Sequence, residues 1–250
     1  MMGGLERGPD GWRALLVGSG VQVDLAGRLG EYLVLLGRWG GAVDLFAGRN
    51  PERLIVSLVL EALAALPWVG ETGTLVDVGS GNGFPALPLL LARPGLRGVL
   101  LEPRERRWAF LKEAVRELGV DAEVRRERAD DHTGVHDVAT VRGVELGVWL
   151  PLRSRLVRVD GTWLWWTSGA KAAGLGARAA DGRMLTFPLP DPSRGVLAVW
   201  RRCSTLNNGR SVEESASCGG CQPKRRGGED DDRDEPRRRA GGVRADRSGA

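Results

Sequence analysis

The spacing of apolar residues changes character along this chain. From Val21 to Trp39 they fall at 21, 25, 29, 32, 33, 36 and 39, steps of three and four that describe one face of a helix. Asn50-Pro51-Glu52 then reads as a helix start: a capping side chain, a proline at the first helical position and an early acid. That helix is expected to run to about Leu66, where Pro67 stops it. Two helices are thus predicted ahead of the first strand. The first 20 residues are glycine-rich and expected to be loose.

From Leu75 onward, short apolar runs alternate with amphipathic ones. Strands are predicted over 74–79, 97–103, 122–128, 136–142, 161–168, 183–189 and 196–202. Between them lie a short helix closed by Pro94, an amphipathic helix over Arg104–Leu118 ended by Gly119, and a helical stretch near 145–157. Alternation of this kind specifies a mostly parallel seven-stranded sheet with helices on both faces, an α/β fold with an N-terminal helical extension. No helix separates the last two strands, so they are expected to pair antiparallel at one edge. Trp163, Trp165 and Trp166 sit in the fifth strand and are expected in the core.

Composition refines the boundaries. The chain has 250 residues, 42% of them hydrophobic, enough for one sizeable core. Past residue 202 large apolar residues almost vanish, and the blocks "KRR", "EDDDRDE" and "RRR" follow. Such a segment cannot bury enough surface to offset chain entropy, so 203–250 is predicted to be a disordered charged tail. The organisation expected is a flexible 1–20, a folded domain over 21–202 with helices to 70 and the sheet from 71, and the tail.

Charge says less. The formal net charge is +4, with 36 basic against 32 acidic residues, which permits a nucleic-acid partner without demanding one. Lysine occurs only at 112, 171 and 224, so nearly every base is arginine, which fits bidentate phosphate contacts but is read first as the codon bias of a GC-rich genome. The longest apolar stretches fall short of a membrane span, and "MMGGLERGPDGW" has no apolar signal core, so no membrane partner and a cytoplasmic location are expected. The three cysteines all lie beyond residue 200 and form no disulfide framework. Cys218 and Cys221 make one CxxC in the tail, short of the four ligands of a structural zinc, so no metal is expected. His132 and His136, the only histidines, are read as structural or solvated, not catalytic.

In an open parallel sheet, ligands bind at the carboxyl ends of the strands. The first strand ends in Asp77-Val78-Gly79-Ser80-Gly81-Asn82-Gly83, the second at Glu102, the third at Arg128-Ala129-Asp130-Asp131 and the fourth at Arg142. The glycines follow G-x-G-x-G, not the dinucleotide fingerprint G-x-G-x-x-G, and a carboxylate stands two residues before the first. That carboxylate would repel a pyrophosphate and suits a ligand with a cationic centre. S-adenosylmethionine has one. Glu102, 19 residues after Gly83, is placed to accept from two ribose hydroxyls. Asp77 and the glycine spacing argue against a nicotinamide-dependent oxidoreductase.

The stretch "LVDVGSGNGFPALPLLLARPGLRGVLLEPRERRWAFLKEAVRELGV" resembles the S-adenosylmethionine-binding half of the RsmG (GidB) family, bacterial methyltransferases acting on guanine N7 in small-subunit (16S) ribosomal RNA. The likeness rests on Asp77 to Pro85, Arg93-Pro94, Leu100-Leu101-Glu102, Arg106-Arg107 and Phe110-Leu111, with Phe84-Pro85 its most specific step. It extends from about residue 21 to 202. It implies a Rossmann-like methyltransferase fold, a partner in ribosomal RNA or the small ribosomal subunit, and a monomer. Combined with the strand ends, the expected cofactor-binding set is Asp77, Gly79, Gly81, Gly83, Phe84, Glu102, Ala129, Asp130 and Arg142. No general base or metal is needed at N7, so no catalytic residue is named, and Arg142 is expected as a clamp on cofactor or substrate.

Three positions depart from the family pattern on the side where RNA is expected to enter. Ser57-Leu58 stand for Arg-His, Ser168-Gly169 for Lys-Gly, and Asp44-Leu45-Phe46 for Asn-Leu-Thr. Lys171 lies three residues from the missing lysine. The departures leave open a second function: a cofactor-binding relative that has lost rRNA methylation and serves as an RNA-binding or scaffold protein.

Overall fold

The N-terminal residues are the first departure from expectation. In the computed structural model, which describes residues 7–43, 51–176 and 182–202, Pro9–Gly18 form helix α1. Pro9 occupies the first turn, and Ser19 closes the helix, its N–H and hydroxyl both donating to the Leu15 carbonyl. Glycine-rich composition lowers intrinsic helicity, but Trp12 and Leu16 are fully buried against the next helix, and tertiary packing decides. The loose segment expected over 1–20 is therefore corrected to a helix over 9–18, and among the described residues three α-helices, not two, precede the sheet.

Helix α2 (Val23–Val43) carries the predicted stripe inward: Leu29, Tyr32, Leu33 and Leu36 are fully buried. Helix α3 spans Pro51–Leu63 and gives way to a 3₁₀ turn at Leu66–Trp68. Then follow β1 (Thr72–Val78), α4 (Ala86–Ala92), β2 (Gly95–Leu101), α5 (Glu105–Leu118), β3 (Ala122–Arg125) and β4 (His136–Arg142). Gly119 ends α5 in a left-handed conformation at φ 60°, as its position predicted. Short helices α6 (Leu146–Trp149) and α7 (Arg153–Leu156), joined by a 3₁₀ turn, lead into β5 (Val157–Thr167). Helix α8 (Gly169–Gly176), β6 (Gly182–Pro188) and β7 (Val196–Arg202) complete the described residues. Helix α8 was not expected from the apolar pattern.

The seven strands form one sheet in the order β3-β2-β1-β4-β5-β7-β6. The first five run parallel, and β7 pairs antiparallel with both β5 and β6. Alternation along β1 splits the core in two. Leu75 faces the layer of α1–α5 with Trp12, Tyr32 and Phe110, while Val76 and Val78 face α6–α8. On that second face Trp149 stacks on Trp163 at 5.1 Å between ring centres, and Trp165 and Trp200 pack around them. Strand order reverses between β1 and β4, which opens a crevice at their carboxyl ends. None of the described helices is long and apolar enough to cross a membrane. Cys203, Cys218 and Cys221, the charged tail and Asp44-Leu45-Phe46 lie outside the described residues.

Because α1 is anchored by one large side chain, Trp12→Ala should lower unfolding stability by about 3–5 kcal/mol in denaturant titrations. A change below about 0.5 kcal/mol, as for an exposed residue, would mean that α1 does not dock.

Candidate active site

The turn after β1 folds back on the end of β2. The N–H groups of Gly79 and Ser80 both donate to the Leu101 carbonyl at 3.0 Å, and the Gly83 N–H to that of Ser80 at 2.7 Å. Gly79, Gly81 and Gly83 have φ of 72°, 56° and 89°, the left-handed region that costs a side-chain-bearing residue strain. Space adds to this at two of them. A Cβ on Gly79 would come within 2.7 Å of a Val144 methyl, and one on Gly83 within 2.5 Å of a Leu87 methyl. Tyr32 supports the turn from below: its hydroxyl donates to the Asn82 carbonyl at 2.6 Å, and its ring meets Phe84 edge-on at 5.3 Å. The Phe84–Pro85 peptide is cis.

Two carboxylates lie buried around the turn. Glu102 accepts from the Gly81 N–H at Oε2 and the Arg104 N–H at Oε1, both at 2.9 Å. A carboxylate has about four acceptor directions, so two remain for a ligand. Asp77 accepts from the Thr140 hydroxyl at 2.6 Å through Oδ1, while its Oδ2 is buried with no hydrogen-bond partner. Burial pushes the Asp77 carboxyl up to about 6, the Glu102 charge adds to the rise, and the Thr140 hydrogen bond opposes it.

A cavity of about 380 Å³ opens above the turn, within the size range of small-molecule sites. Of the residues singled out from sequence, Gly79, Gly81, Phe84, Glu102, Ala129, Asp130 and Arg142 line it. Asp77 and Gly83 do not: they lie beneath the wall and shape it indirectly. Arg155 fixes the Ala129-Asp130 turn by donating to both carbonyls, at 3.0 and 2.7 Å. Arg142, expected as a clamp on cofactor or substrate, is itself held at one end. Its Nη2 donates to Glu61 of α3 at 2.5 Å, and Glu61 is fully buried. Beyond Arg142, a second cavity of about 570 Å³ shares the wall Arg142–Val144 and continues past Trp166, Ser168, Lys171 and Arg194.

Tyr32, Glu61 and Arg155 were not legible as site residues. Each acts on a partner 25 to 81 positions away, and no local pattern marks it. His132 and His136 are buried outside both cavities. Their Nε2 atoms are 2.9 Å apart, and Glu127 meets His132 at 2.8 Å, a structural pair as expected. Burial and the His132 neighbour hold His136 down at about 4, so it is neutral at ordinary pH.

The comparison with known families decides the lineage. The family described as rRNA small subunit methyltransferase G (GidB) matches residues 26–179, well over half of the chain. The chain belongs to this family. Among GidB relatives, ribosomal RNA small subunit methyltransferase G of Stenotrophomonas maltophilia (strain K279a) is 39% identical over 133 residues, 52% of this chain and 62% of that protein. Its namesake in Nitrosomonas europaea is 41% identical over 111 residues, 44% of this chain and 51% of that one. The alignment thus spans less than two thirds of the curated relatives it matches. The solved ribosomal protein L11 methylase of Lactobacillus delbrueckii subsp. bulgaricus gives a TM-score of 0.47 at 18% identity, over 61% of this chain and 82% of that one, and adds nothing to the assignment.

The departures from the GidB pattern can now be placed. Ser57 sits one turn before Glu61 on α3 and donates to its Oε1 at 3.0 Å, whereas Leu58 is buried in the core. Ser168 lines the second cavity, and so does Lys171 one turn along in α8.

The raised Asp77 carboxyl has a sign that a melt can read. The folded protein binds this proton more tightly than the unfolded chain, so ionised Asp77 opposes folding. The penalty is absent below about pH 3.8, grows through about 6, and is complete above it. The stability gained by Asp77→Asn over the parent should therefore shrink by roughly 2 kcal/mol between pH 7.5 and pH 4.5. A difference that stays constant with pH would show that Asp77 titrates normally.

Proposed function

We propose that this protein transfers the methyl group of S-adenosylmethionine to N7 of a guanine in small-subunit ribosomal RNA, acting as a monomer in the cytoplasm. One observation carries this: two cavities share a wall at the switch point of the sheet, the first shaped by a glycine turn over two buried carboxylates. Family membership supports the same activity.

The residues around the first cavity fit the cofactor. Gly79 and Gly81 expose backbone in left-handed conformations that disfavour a side chain, and Glu102 keeps acceptor capacity for ribose hydroxyls. The Ala129-Asp130 turn, braced by Arg155, suits the adenine edge. The unpartnered Oδ2 of Asp77 puts negative potential under the turn, which suits a cationic ligand. When bound, S-adenosylmethionine supplies an electrophilic methyl group. Guanine N7 offers a lone pair and has no proton to lose, so no side chain has to act as a base. What the chain contributes is alignment: reacting atoms held at about 3–3.5 Å can gain most of the barrier lowering from positioning alone. Arg142, Gly143 and Val144 face both cavities and so lie where acceptor and cofactor must meet.

Calorimetric titration should show S-adenosylmethionine binding and no binding of NADH. Gly79→Val, strained by φ 72° and by the Val144 methyl, should weaken the former at least a hundredfold. In a strain lacking its own N7 methyltransferase, expression of this chain should restore N7-methylguanosine in small-subunit rRNA, read by mass spectrometry. Cofactor binding without that nucleoside would reject the rRNA substrate and point to the RNA-binding or scaffold role.

A further inference from the structure

Glu61 draws together parts of the chain that are far apart in sequence. Its Oε2 accepts from Nη2 of Arg142 at the end of β4. Its Oε1 accepts from Nε of Arg194, in the turn between β6 and β7, and from the Ser57 hydroxyl at 3.0 Å. Its backbone carbonyl accepts from Nε1 of Trp166 in β5 at 2.9 Å. A small side chain at position 57, one helical turn earlier, leaves Oε1 open to an arginine arriving from 133 positions away.

One fully buried carboxylate meets two guanidiniums, and Asp191 is a further acid near Arg194. Nη1 of Arg142 is buried with no hydrogen-bond partner, a donor without an acceptor. Both arginines line the second cavity, where Lys171 and the Ser168 hydroxyl add donors, and Glu145 is the opposing charge. Only Arg142 reaches the first cavity. A ligand for the pair therefore sits on the second-cavity side. Paired guanidiniums with spare N–H groups match the oxygens of a phosphate.

We propose that Glu61 is a positioning residue that holds Arg142 and Arg194 together as a clamp, and that the second cavity thereby binds a phosphate group of the acceptor strand. The identity of that strand rests on the function proposed above, but the phosphate chemistry does not. Removing Glu61 would let two like charges repel and lose their common geometry. Removing Arg194 would halve the clamp without touching the first cavity.

The test titrates guanosine 5′-monophosphate and guanosine into the full-length protein at low salt, with S-adenosylhomocysteine in parallel. The parent should bind the monophosphate at least tenfold more tightly than the nucleoside. Arg194→Gln should erase that preference and leave S-adenosylhomocysteine affinity within twofold. Glu61→Gln should also lose it, at least tenfold, under conditions where circular dichroism shows a folded protein, and Glu61→Asp should recover part of it. Equal binding of the two probes by the parent would overturn the proposal. So would loss of S-adenosylhomocysteine affinity in Arg194→Gln, which would give the clamp to the cofactor. If Glu61→Gln lowers only the melting temperature and keeps the phosphate preference, the carboxylate is structural and the proposal falls. A free nucleotide as probe separates this outcome from any failure to methylate rRNA.

Discussion

The carboxylate of Glu102 is the contact on which the site depends. It ends the second strand, is almost wholly buried, and accepts one N–H from the glycine turn and one from the residue that begins α5. Three elements are thereby fixed relative to each other: the turn after β1, the end of β2 and the start of the helix that follows. A buried charge is tolerated only when hydrogen bonds replace its water, and two backbone donors do so here. The same charge adds to the burial that makes Asp77 harder to ionise, so Asp77 contributes negative charge beneath the turn only above about 6.

From that floor the sheet topology dictates the rest. Strand order reverses between β1 and β4, and the loop that leaves β4 cannot follow the one that leaves β1. Arg142, Gly143 and Val144 therefore stand between two cavities and belong to both. The Val144 methyl presses against Gly79, so the partition is packed against the glycine turn and cannot shift independently of it. Helix α3 completes the partition from the other side through Glu61. The N-terminal helices are thus part of the site and not an appendage to the sheet.

What the sequence made legible was local. The glycine turn, the acids at successive strand ends and the Gly119 stop each declare themselves within a few residues, because backbone conformation and strand-end position constrain them directly. The antiparallel edge was legible from a missing helix. The rest depended on distant partners. Helix α1 hides behind a glycine-rich composition and exists because Trp12 finds a place on α2. Tyr32 looks like one more apolar step on the α2 stripe, yet its hydroxyl holds the turn 50 residues on. Asp77, expected from sequence among the cofactor-binding residues, lies beneath the cavity wall, because period-two alternation sends it into the buried layer.

The excess of arginine over lysine, which composition alone attributes to codon usage, resolves differently residue by residue. Arg116 pairs with Glu113 and Arg125 with Glu123 through Nε and Nη2 on the solvent face, where such pairs contribute little. Arg155 reaches two adjacent carbonyls with one nitrogen. Arg142 shows one nitrogen to Glu61 while another is buried without a partner, an arrangement that needs several N–H donors held in one plane, which an ammonium lacks. The place of Arg142 in the partition is what makes it hard to replace.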